Sequence, residues 1–359
     1  MLRKLAALAV FALAALAFPT DAAKPDNNMP VSIMTQNMDD GTDLTYVVAA
    51  LLPIPLLPLE AAVDLTYYEL IASAIPYRVT AMATEIAYRK PHLVAVQEAA
   101  LWRTGPAPDK ATEPLSDSLD TLVSALQDLG APYKVVAVND LFDIAVPGAT
   151  LGALRFTDRN ALLVRADLKP PQFHLSNVHA NTFSAAFLFA GLTVPAGWIT
   201  ADVHVGNKQF RVVTTHLQSP ILGVSEATDV QVAQAQELLH ALRNLQVPVV
   251  ICGDFNSDAN HGGFIDSTPT VDLIEAAGYE DVWVKVYGGA SGLTWPYYLE
   301  DQFPPPPFFA DSSPYERIDL FFSKGMNPIG AELVILPFGS LPVPPHASDH
   351  AGVIATFRP

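Results

Sequence analysis

The stretch that decides the fold is Val249-Val250-Ile251-Cys252-Gly253-Asp254-Phe255-Asn256-Ser257. Its apolar, β-branched first half predicts a buried strand, which ends at a glycine. Because side chains alternate along an extended chain, Asp254 and Asn256 are expected on the same side. A rigid strand would hold both in fixed positions, as a catalytic site requires. An Asx turn that only caps the strand would use the same residues, so this stretch alone leaves both interpretations open.

The composition predicts one large domain with ample apolar material for a core. The chain has 359 residues, of which 50% are hydrophobic, and its formal net charge is −17. Such a charge repels phosphate polymers at long range and argues against a dedicated nucleic-acid-binding module. A metal-dependent phosphoesterase remains compatible with it, because bound cations can reverse the local field.

The first 22 residues are expected to form a secretory signal peptide. Two basic residues precede an apolar run over residues 5–18, and small residues follow. The run is shorter than the ~20 residues that usually span a membrane, although an uncleaved anchor is the alternative. We therefore expect a secreted or periplasmic bacterial protein whose domain covers residues 23–359. Its single cysteine, Cys252, cannot form an internal disulfide and is expected to be buried.

Two unusually apolar stretches lie near residues 44–76 and 181–197. Pro53, Pro55 and Pro58 forbid one continuous helix in the first of them. We interpret both stretches as insertions. They are expected either to pack on the body as a lid or to contact something apolar, such as a membrane surface.

The remaining pattern alternates strands with helices. Apolar spacing predicts helices over residues 77–88, 117–129 and 226–245, and short strands near 133–138 and 160–165. No repeat or internal linker divides the chain, so the sequence predicts a single α/β domain.

Polar side chains recur where the predicted strands end. They are Asn37, Glu98, His216, Asp254 with Asn256, Asp319, and Asp349 with His350. Each one alone has a structural explanation, such as a satisfied surface histidine. Because ligands of α/β sheets bind at the carboxyl ends of strands, so many polar endings predict one common site.

The residue types at these strand ends favour one kind of chemistry. Carboxylates with a carboxamide suit a hard cation such as Mg²⁺, Mn²⁺ or Ca²⁺. The sequence contains no HExxH, GxSxG, Walker or GxGxxG motif, which argues against zinc proteases, serine hydrolases, nucleoside triphosphatases and dinucleotide-binding enzymes. A histidine beside carboxylates can act as a general base toward water. Metal-assisted hydrolysis at phosphorus is therefore the expected reaction.

Six short motifs follow one another along the chain. They are Thr35-Gln36-Asn37, Val96-Gln97-Glu98, Thr215-His216-Leu217, Gly253-Asp254-Phe255-Asn256, Arg317-Ile318-Asp319 and Ser348-Asp349-His350. Their order resembles that of the endonuclease/exonuclease/phosphatase superfamily of DNase I-like, metal-dependent phosphoesterases. The resemblance extends from residue 31 to residue 359. It implies an α/β fold, a four-layer sandwich in which two mostly antiparallel sheets pack face to face with helices outside.

The resemblance also implies which residues hold the metal and activate water. Glu98 would be the principal metal ligand, with Asn37 and Asp349 near the metal. Mg²⁺ is the expected ion, with Mn²⁺ or Ca²⁺ as alternatives. His350, oriented by Asp319, would act as the general base or contact the phosphate.

Other motif residues would act on the phosphate or on the water. Asp254 would position or deprotonate the attacking water in a competing version of the mechanism. His216 and Asn256 would hold the phosphate and stabilise charge on its oxygens. Arg159 and Asn160 resemble a family segment that faces the phosphate, and would bind substrate.

The sequence leaves three functions open. The apolar stretches and the lack of basic clusters favour a phosphodiesterase that acts on a lipid or a small molecule, with peripheral membrane contact as one use of those stretches. An extracellular endonuclease is the alternative, and a non-catalytic exported binding protein on the same fold is the third. The expected partner is the phosphoester substrate, and the protein is expected to be a monomer.

Overall fold

The chain forms seven α-helices and sixteen strands within the residues that the structure describes. This computed structural model describes residues 29–262, 267–297, 314–335 and 346–359, so the expected signal peptide lies outside the described residues. The helices are α1 (Thr45–Leu51), α2 (Leu59–Ala72), α3 (Ile75–Arg89), α4 (Ser118–Asp128), α5 (Ser225–Leu242), α6 (Thr270–Ala276) and α7 (Val282–Tyr287), with a 3-10 helix at Pro108–Lys110. The strands are β1 (Val31–Asn37), β2 (Leu93–Gln97), β3 (Leu101–Gly105), β4 (Glu113–Asp117), β5 (Tyr133–Pro147), β6 (Ala153–Arg165), β7 (Phe173–Thr182), β8 (Phe187–Phe189), β9 (Leu192–Val194), β10 (Gly197–Val205), β11 (Lys208–His216), β12 (Val249–Asp254), β13 (Glu280–Asp281), β14 (Asp319–Lys324), β15 (Asn327–Val334) and β16 (Gly352–Arg358).

The larger sheet contains eight of these described strands. Its order is β15-β16-β1-β2-β6-β3-β4, and β5 pairs with the other edge of β6. β6 is long enough to pair with β2 through residues 161–164 and with β3 through residues 153–157. β1 and β2 are parallel, and the other pairs are antiparallel.

β5 and β6 are much longer than the short strands expected near 133–138 and 160–165. Their pairing continues until Pro147 lies opposite Ala153. The pairing of β5 with β6 contains two register shifts in β5, one of them between Asp140 and Asp143, and it continues beyond both. Such bulges break the alternation of side chains, so the sequence pattern ends before the strand does.

The second large sheet contains six described strands in the order β13-β14-β12-β11-β10-β7. β11 and β12 are parallel, and their neighbours are antiparallel. In β12, Val250 and Cys252 face the other sheet, whereas Val249 and Ile251 face the outer helices. β12, which holds most of residues 249–257, is therefore covered on both faces, and Cys252 is buried as expected.

The two sheets pack face to face around a shared apolar core. Ile33 and Ala95 from the larger sheet pack in it with Val212 and Val250 from the second. Helices α3 and α4 cover the outer face of the larger sheet, and α5 and α6 cover the outer face of the second. The predicted four-layer α/β sandwich is thus confirmed. No helix in the described part of the chain is both long and apolar enough to cross a membrane.

The two apolar stretches form compact elements beside this sandwich. Residues 44–76 hold α1 and α2, and the proline-containing segment between them is not helical, as its prolines require. Within residues 181–197, β8 and β9 form a two-stranded hairpin.

His92 gives the fold a predictable response to acid. Its Nδ1 accepts a hydrogen bond from the backbone N–H of Ser32 at 3.2 Å. Burial, with the nearby Arg165, lowers the pKa of His92 to about 4, whereas an unfolded histidine has a pKa of ~6.5. Between these values the unfolded chain binds more protons, so His92 makes the folded state less stable as the pH falls.

We expect His92→Asn to remove this contribution, because asparagine offers an acceptor at the same place and does not titrate. Thermal unfolding from pH 7 to pH 4, followed by circular dichroism, measures it. The melting temperature of the wild type should fall more steeply over this range than that of the variant. Parallel curves for the two proteins would show that His92 is not the titrating group.

Candidate active site

Two parallel strand pairs bring several strand ends to one edge of the sandwich. In the larger sheet, Asn37 lies opposite Gln97 at the ends of β1 and β2. In the second sheet, His216 lies opposite Asp254, and β14 begins at Asp319 on the other side of Asp254. Because the sheets pack face to face, these ends open into a single cleft of about 350 Å³.

Most of the predicted site residues line this cleft. They are Glu98, His216, Asp254, Asn256, Asp349 and His350. Asn37 and Asp319 do not line the cleft themselves. The side chain of Asn37 is hydrogen-bonded to that of Glu98, and the side chain of Asp319 to that of His350.

Gly253 allows β11 and β12 to approach closely where they end. Its φ is +142°, and a Cβ atom there would collide with the carbonyl oxygen of Thr215. A side chain at this position would therefore separate the strands. The glycine thus maintains the 3.6 Å distance between Nε2 of His216 and Oδ2 of Asp254.

The chain turns sharply into the left-handed region just after β2 and just after β12. Glu98 has a φ of +51° and Asn256 a φ of +47°. Asparagine tolerates this region, but a glutamate there costs about 1–3 kcal/mol. Hydrogen bonds hold both turns. Across the chain, Asp40 N–H donates to Oε2 of Glu98 at 3.0 Å, and locally Asn256 N–H donates to Oδ1 of Asp254 at 2.9 Å.

The Asn37 carboxamide connects carboxylates from the two sheets. Its Nδ2 donates to Oε1 of Glu98 at 2.7 Å and to Oδ2 of Asp254 at 3.0 Å. Its Oδ1 accepts a hydrogen bond from the backbone N–H of Asp39. In this arrangement the nitrogen of Asn37 faces the site and its oxygen is turned to the backbone. This places Asn37 as a positioning residue beside Glu98, while its contact with a metal stays a prediction.

His350 and Asp319 form a buried pair at the other side of the cleft. Nδ1 of His350 lies 2.8 Å from Oδ2 of Asp319, and the Thr294 hydroxyl accepts a hydrogen bond from the Asp319 N–H. Nε2 of His350 therefore faces the cleft, 3.8 Å from Oδ2 of Asp254. Burial alone would lower the pKa of His350, but Asp319, Asp349 and Asp254 raise it well above its usual value.

The donor set of the cleft suits a divalent cation. Ligand atoms of Glu98, His216 and Asp254 all lie within 4.8 Å of one another. Burial raises the pKa values of Glu98 and Asp349, because their negative charges are poorly solvated there. A cation would relieve this cost, and oxygen-rich sites of this kind select hard ions. The residues present therefore fit the expected Mg²⁺, with Glu98 as its principal carboxylate.

Arg159 and Asn160 do not line the cleft. The Arg159 guanidinium donates to the carbonyl of Ala99 and pairs with Asp117 at 2.6 Å, so it supports the turn that follows Glu98. Asn160 is fully buried, and its side-chain atoms have no hydrogen-bond partner among the residues that the structure describes. Direct substrate binding by either residue stays a prediction that this geometry does not support.

Sequence reasoning assigned no site role to three residues that shape the cleft. Asp158 lines the cleft, and burial raises its pKa. Asp40 holds Glu98 through its backbone. The indole N–H of Trp295 donates to Oδ2 of Asp349 at 3.1 Å. Asp158 precedes the Arg159-Asn160 pair directly, and Asp40 follows the β1 ending, so proximity to the motifs was the available signal.

An acidic, histidine-containing cleft at the strand ends of a four-layer sandwich defines the class of DNase I-like folds. A family model described as "Endonuclease/Exonuclease/phosphatase family" matches residues 72–350, more than half of the chain. The protein belongs to this family, whose members are phosphoesterases. No curated protein matches the chain by sequence.

Solved structures show the same fold at low sequence identity. An endonuclease/exonuclease/phosphatase from Beutenbergia cavernae is 18% identical with a TM-score of 0.57, covering 92% of this chain and 71% of that one. A family protein from Leptotrichia buccalis is 14% identical with a TM-score of 0.56, and the match covers 91% of this chain and 99% of that one. D. rerio TDP2 complexed with single strand DNA product is 14% identical with a TM-score of 0.53, and the match covers 92% of this chain and 100% of that one.

Mg²⁺ is expected to stabilise the protein through Glu98. A ligand at ~100 times its dissociation constant stabilises a folded protein by about 2.7 kcal/mol. Melting curves in EDTA and in saturating Mg²⁺ should therefore differ clearly for the wild type. The shift should be much smaller for Glu98→Gln, which removes one negative charge from the donor set.

Glu332→Gln is the matched control, because Glu332 is an exposed carboxylate on β15 that pairs with Arg89. This variant should keep the full Mg²⁺-dependent shift. Equal shifts in all three proteins would mean that Mg²⁺ binds somewhere other than at Glu98.

Proposed function

We propose that this protein hydrolyses phosphodiester bonds with the help of a bound divalent cation, preferably Mg²⁺. The observation that carries the proposal is the arrangement of two unlike groups across one cleft. His350 is hydrogen-bonded to Asp319, and its Nε2 lies 3.8 Å from Oδ2 of Asp254. Opposite it, the Asn37 carboxamide donates hydrogen bonds to both Glu98 and Asp254. A phosphate in this space would have a cationic donor on one side and carboxylates for a metal and a water on the other.

The bound cation would polarise a phosphoryl oxygen and offset the charge that develops there. Glu98 is the residue that would chiefly hold it, with Asp349 beside it in the cleft. The raised pKa of His350 favours its imidazolium form, which can donate from Nε2 to a phosphoryl oxygen. This supports the phosphate-contacting role for His350. Asp254 is then the carboxylate that orients the attacking water and accepts its proton.

Asn256 is placed to complete the phosphate site. It lines the cleft, and its Nδ2 donates to the carbonyl of Leu217 at 3.0 Å, which fixes the orientation of the carboxamide. Nε2 of His216 lies 3.9 Å from Oε1 of Glu98. The carboxylates raise the pKa of His216 against the effect of burial, so it too favours a cationic form that attracts phosphate.

A lipid or small-molecule phosphodiester is the substrate that we favour over a nucleic acid. The net charge of −17 opposes the approach of a polyanion. The guanidinium that the sequence analysis expected to bind substrate, that of Arg159, is already paired with Asp117. The likeness to D. rerio TDP2 with its single strand DNA product supports an endonuclease as the second candidate. A binding protein without activity is the third.

We also propose that the protein acts outside the cytoplasm, as a monomer. The charge, apolar run and small residues at the start of the chain support removal of residues 1–22 during export. Sequencing the N-terminus of the protein recovered from a periplasmic or culture fraction tests this proposal.

Removing a catalytic group should lower turnover strongly. Glu98→Ala and His350→Ala should each reduce kcat on bis-p-nitrophenyl phosphate by ~10²-fold or more. His179→Ala is the control, because His179 is an exposed histidine on β7. If both site variants keep full EDTA-sensitive activity, the residue assignment is wrong. A wild type that is inactive with every divalent cation would instead favour the binding protein.

One panel of natural substrates distinguishes the two enzymatic functions. It compares plasmid nicking with cleavage of sphingomyelin and lysophospholipid, each with Mg²⁺ and with EDTA. We expect Mg²⁺-dependent release from the lipids and little nicking. Efficient nicking at physiological salt, with no cleavage of lipid, would establish the endonuclease.

A further inference from the structure

An apolar cavity of about 440 Å³ adjoins the cleft. It lies between the α1–α2 pair, the β5–β6 hairpin and the β8–β9 hairpin, so both apolar stretches of the sequence contribute to its wall. Apart from Asp40, Thr66 and Asp158, the described residues that line it are apolar. Its inner end contains Trp102 and Phe156, whose rings stack with centroids 4.4 Å apart.

The cavity and the cleft adjoin and share part of their wall. Asp158 and Val194 line both of them. Asp40 also lines the cavity, and its backbone N–H donates to Oε2 of Glu98 at 3.0 Å. One molecule can therefore place a phosphoryl group among the site residues and an apolar segment in the cavity.

We propose that the cavity binds the alkyl chain of the substrate, which is therefore a phosphodiester that carries a long alkyl chain. This inference rests on the proposed function and names its substrate class. A cavity of ~150 Å³ accommodates one benzene, so 440 Å³ provides room for roughly a dozen or more carbon atoms. A nucleoside fits this wall poorly, because its polar edges would lose hydrogen bonds to water without replacement.

The β8–β9 hairpin offers a matched pair of leucines for the test. Leu192 lies opposite Phe189, and both side chains line the cavity. Leu188 lies opposite Thr193 on the other face, is 66% exposed, and does not line the cavity. The same substitution at the two positions therefore separates blocking of the cavity from any general effect on the hairpin.

The first test measures how activity depends on chain length. It uses alkyl p-nitrophenyl phosphodiesters from methyl to dodecyl, kept below their critical micelle concentrations, with saturating Mg²⁺. Because each buried methylene favours transfer from water, kcat/KM should rise roughly two- to fourfold per added carbon until the cavity is full. A series with equal kcat/KM at every length would overturn the inference and leave the proposed function intact. No hydrolysis of any member would contradict the proposed function itself.

The second test blocks the cavity. Leu192→Trp should reduce the ratio of kcat/KM for the dodecyl ester to that for the methyl ester by about tenfold or more, because the indole fills space that several methylenes would occupy. Leu188→Trp should keep the wild-type ratio. Melting curves of both variants verify that they fold. Equal ratios in all three proteins would contradict the assignment of the chain to this cavity.

A third test detects binding without catalysis. Trp102 lines the cavity and is 2% exposed, so a bromine atom on a bound alkyl chain should quench its fluorescence. Dodecyl phosphate brominated at its terminal carbon is the probe, added to the protein in EDTA. We expect saturable quenching in the wild type that is largely lost in Trp102→Phe. Undiminished quenching in Trp102→Phe would place the chain elsewhere.

The source of the alkyl chain is identified by presenting the same lysophospholipid in two forms. One arm supplies it as monomers, and the other supplies it in phosphatidylcholine vesicles. Faster cleavage of monomers identifies a dispersed amphiphile, and faster cleavage in vesicles identifies a membrane lipid. Either result supports the inference when Leu192→Trp lowers that rate and Leu188→Trp does not, and equal rates for both variants in both arms would overturn it.

Discussion

The geometry of the cleft depends on polar side chains that connect the two sheets. Nδ2 of Asn37, on β1, donates to Glu98 in its own sheet and to Asp254 in the other. Behind it, the Gln97 carboxamide donates to the Thr214 hydroxyl of β11 at 3.1 Å. Apolar packing alone lets two sheets slide and rotate, whereas directional hydrogen bonds fix one arrangement. A site whose groups come from both sheets needs that fixed arrangement, because small displacements weaken catalysis.

These bridges hold together groups that repel one another. Glu98, Asp254, Asp319 and Asp349 place carboxylates around one cleft, and burial raises the pKa values of Glu98, Asp319 and Asp349. Neutral donors such as Asn37 and the Trp295 indole stabilise the charges without cancelling them. Such a cluster of carboxylates lowers the stability of the fold and suits a cation, a common compromise at functional sites.

The family resemblance of six short motifs predicted the four layers, and the polar residues at the strand ends predicted the edge that carries the cleft. The Gly253-Asp254-Phe255-Asn256 motif marks such an end directly. The sequence could not reveal that the backbone of Glu98 lies in the left-handed region or that Arg159 forms an ion pair with Asp117, since both depend on long-range contacts. The extra length of β5 was also hidden, because bulges interrupt its alternation. Residue type and order were thus predictable, whereas orientation and partners were not.

The apolar stretches change which forces can select a substrate. Attraction between a basic surface and a polyanion weakens steeply with salt, and a chain with net charge −17 provides little of it. Transfer of an alkyl chain from water depends on area and is insensitive to that charge. Under the proposed function, the cleft would supply polar contacts that any phosphodiester can make, and these contacts would not distinguish one ester from another. Selectivity would then come from the neighbouring wall, and the wall formed by α1, α2 and the β8–β9 hairpin is apolar.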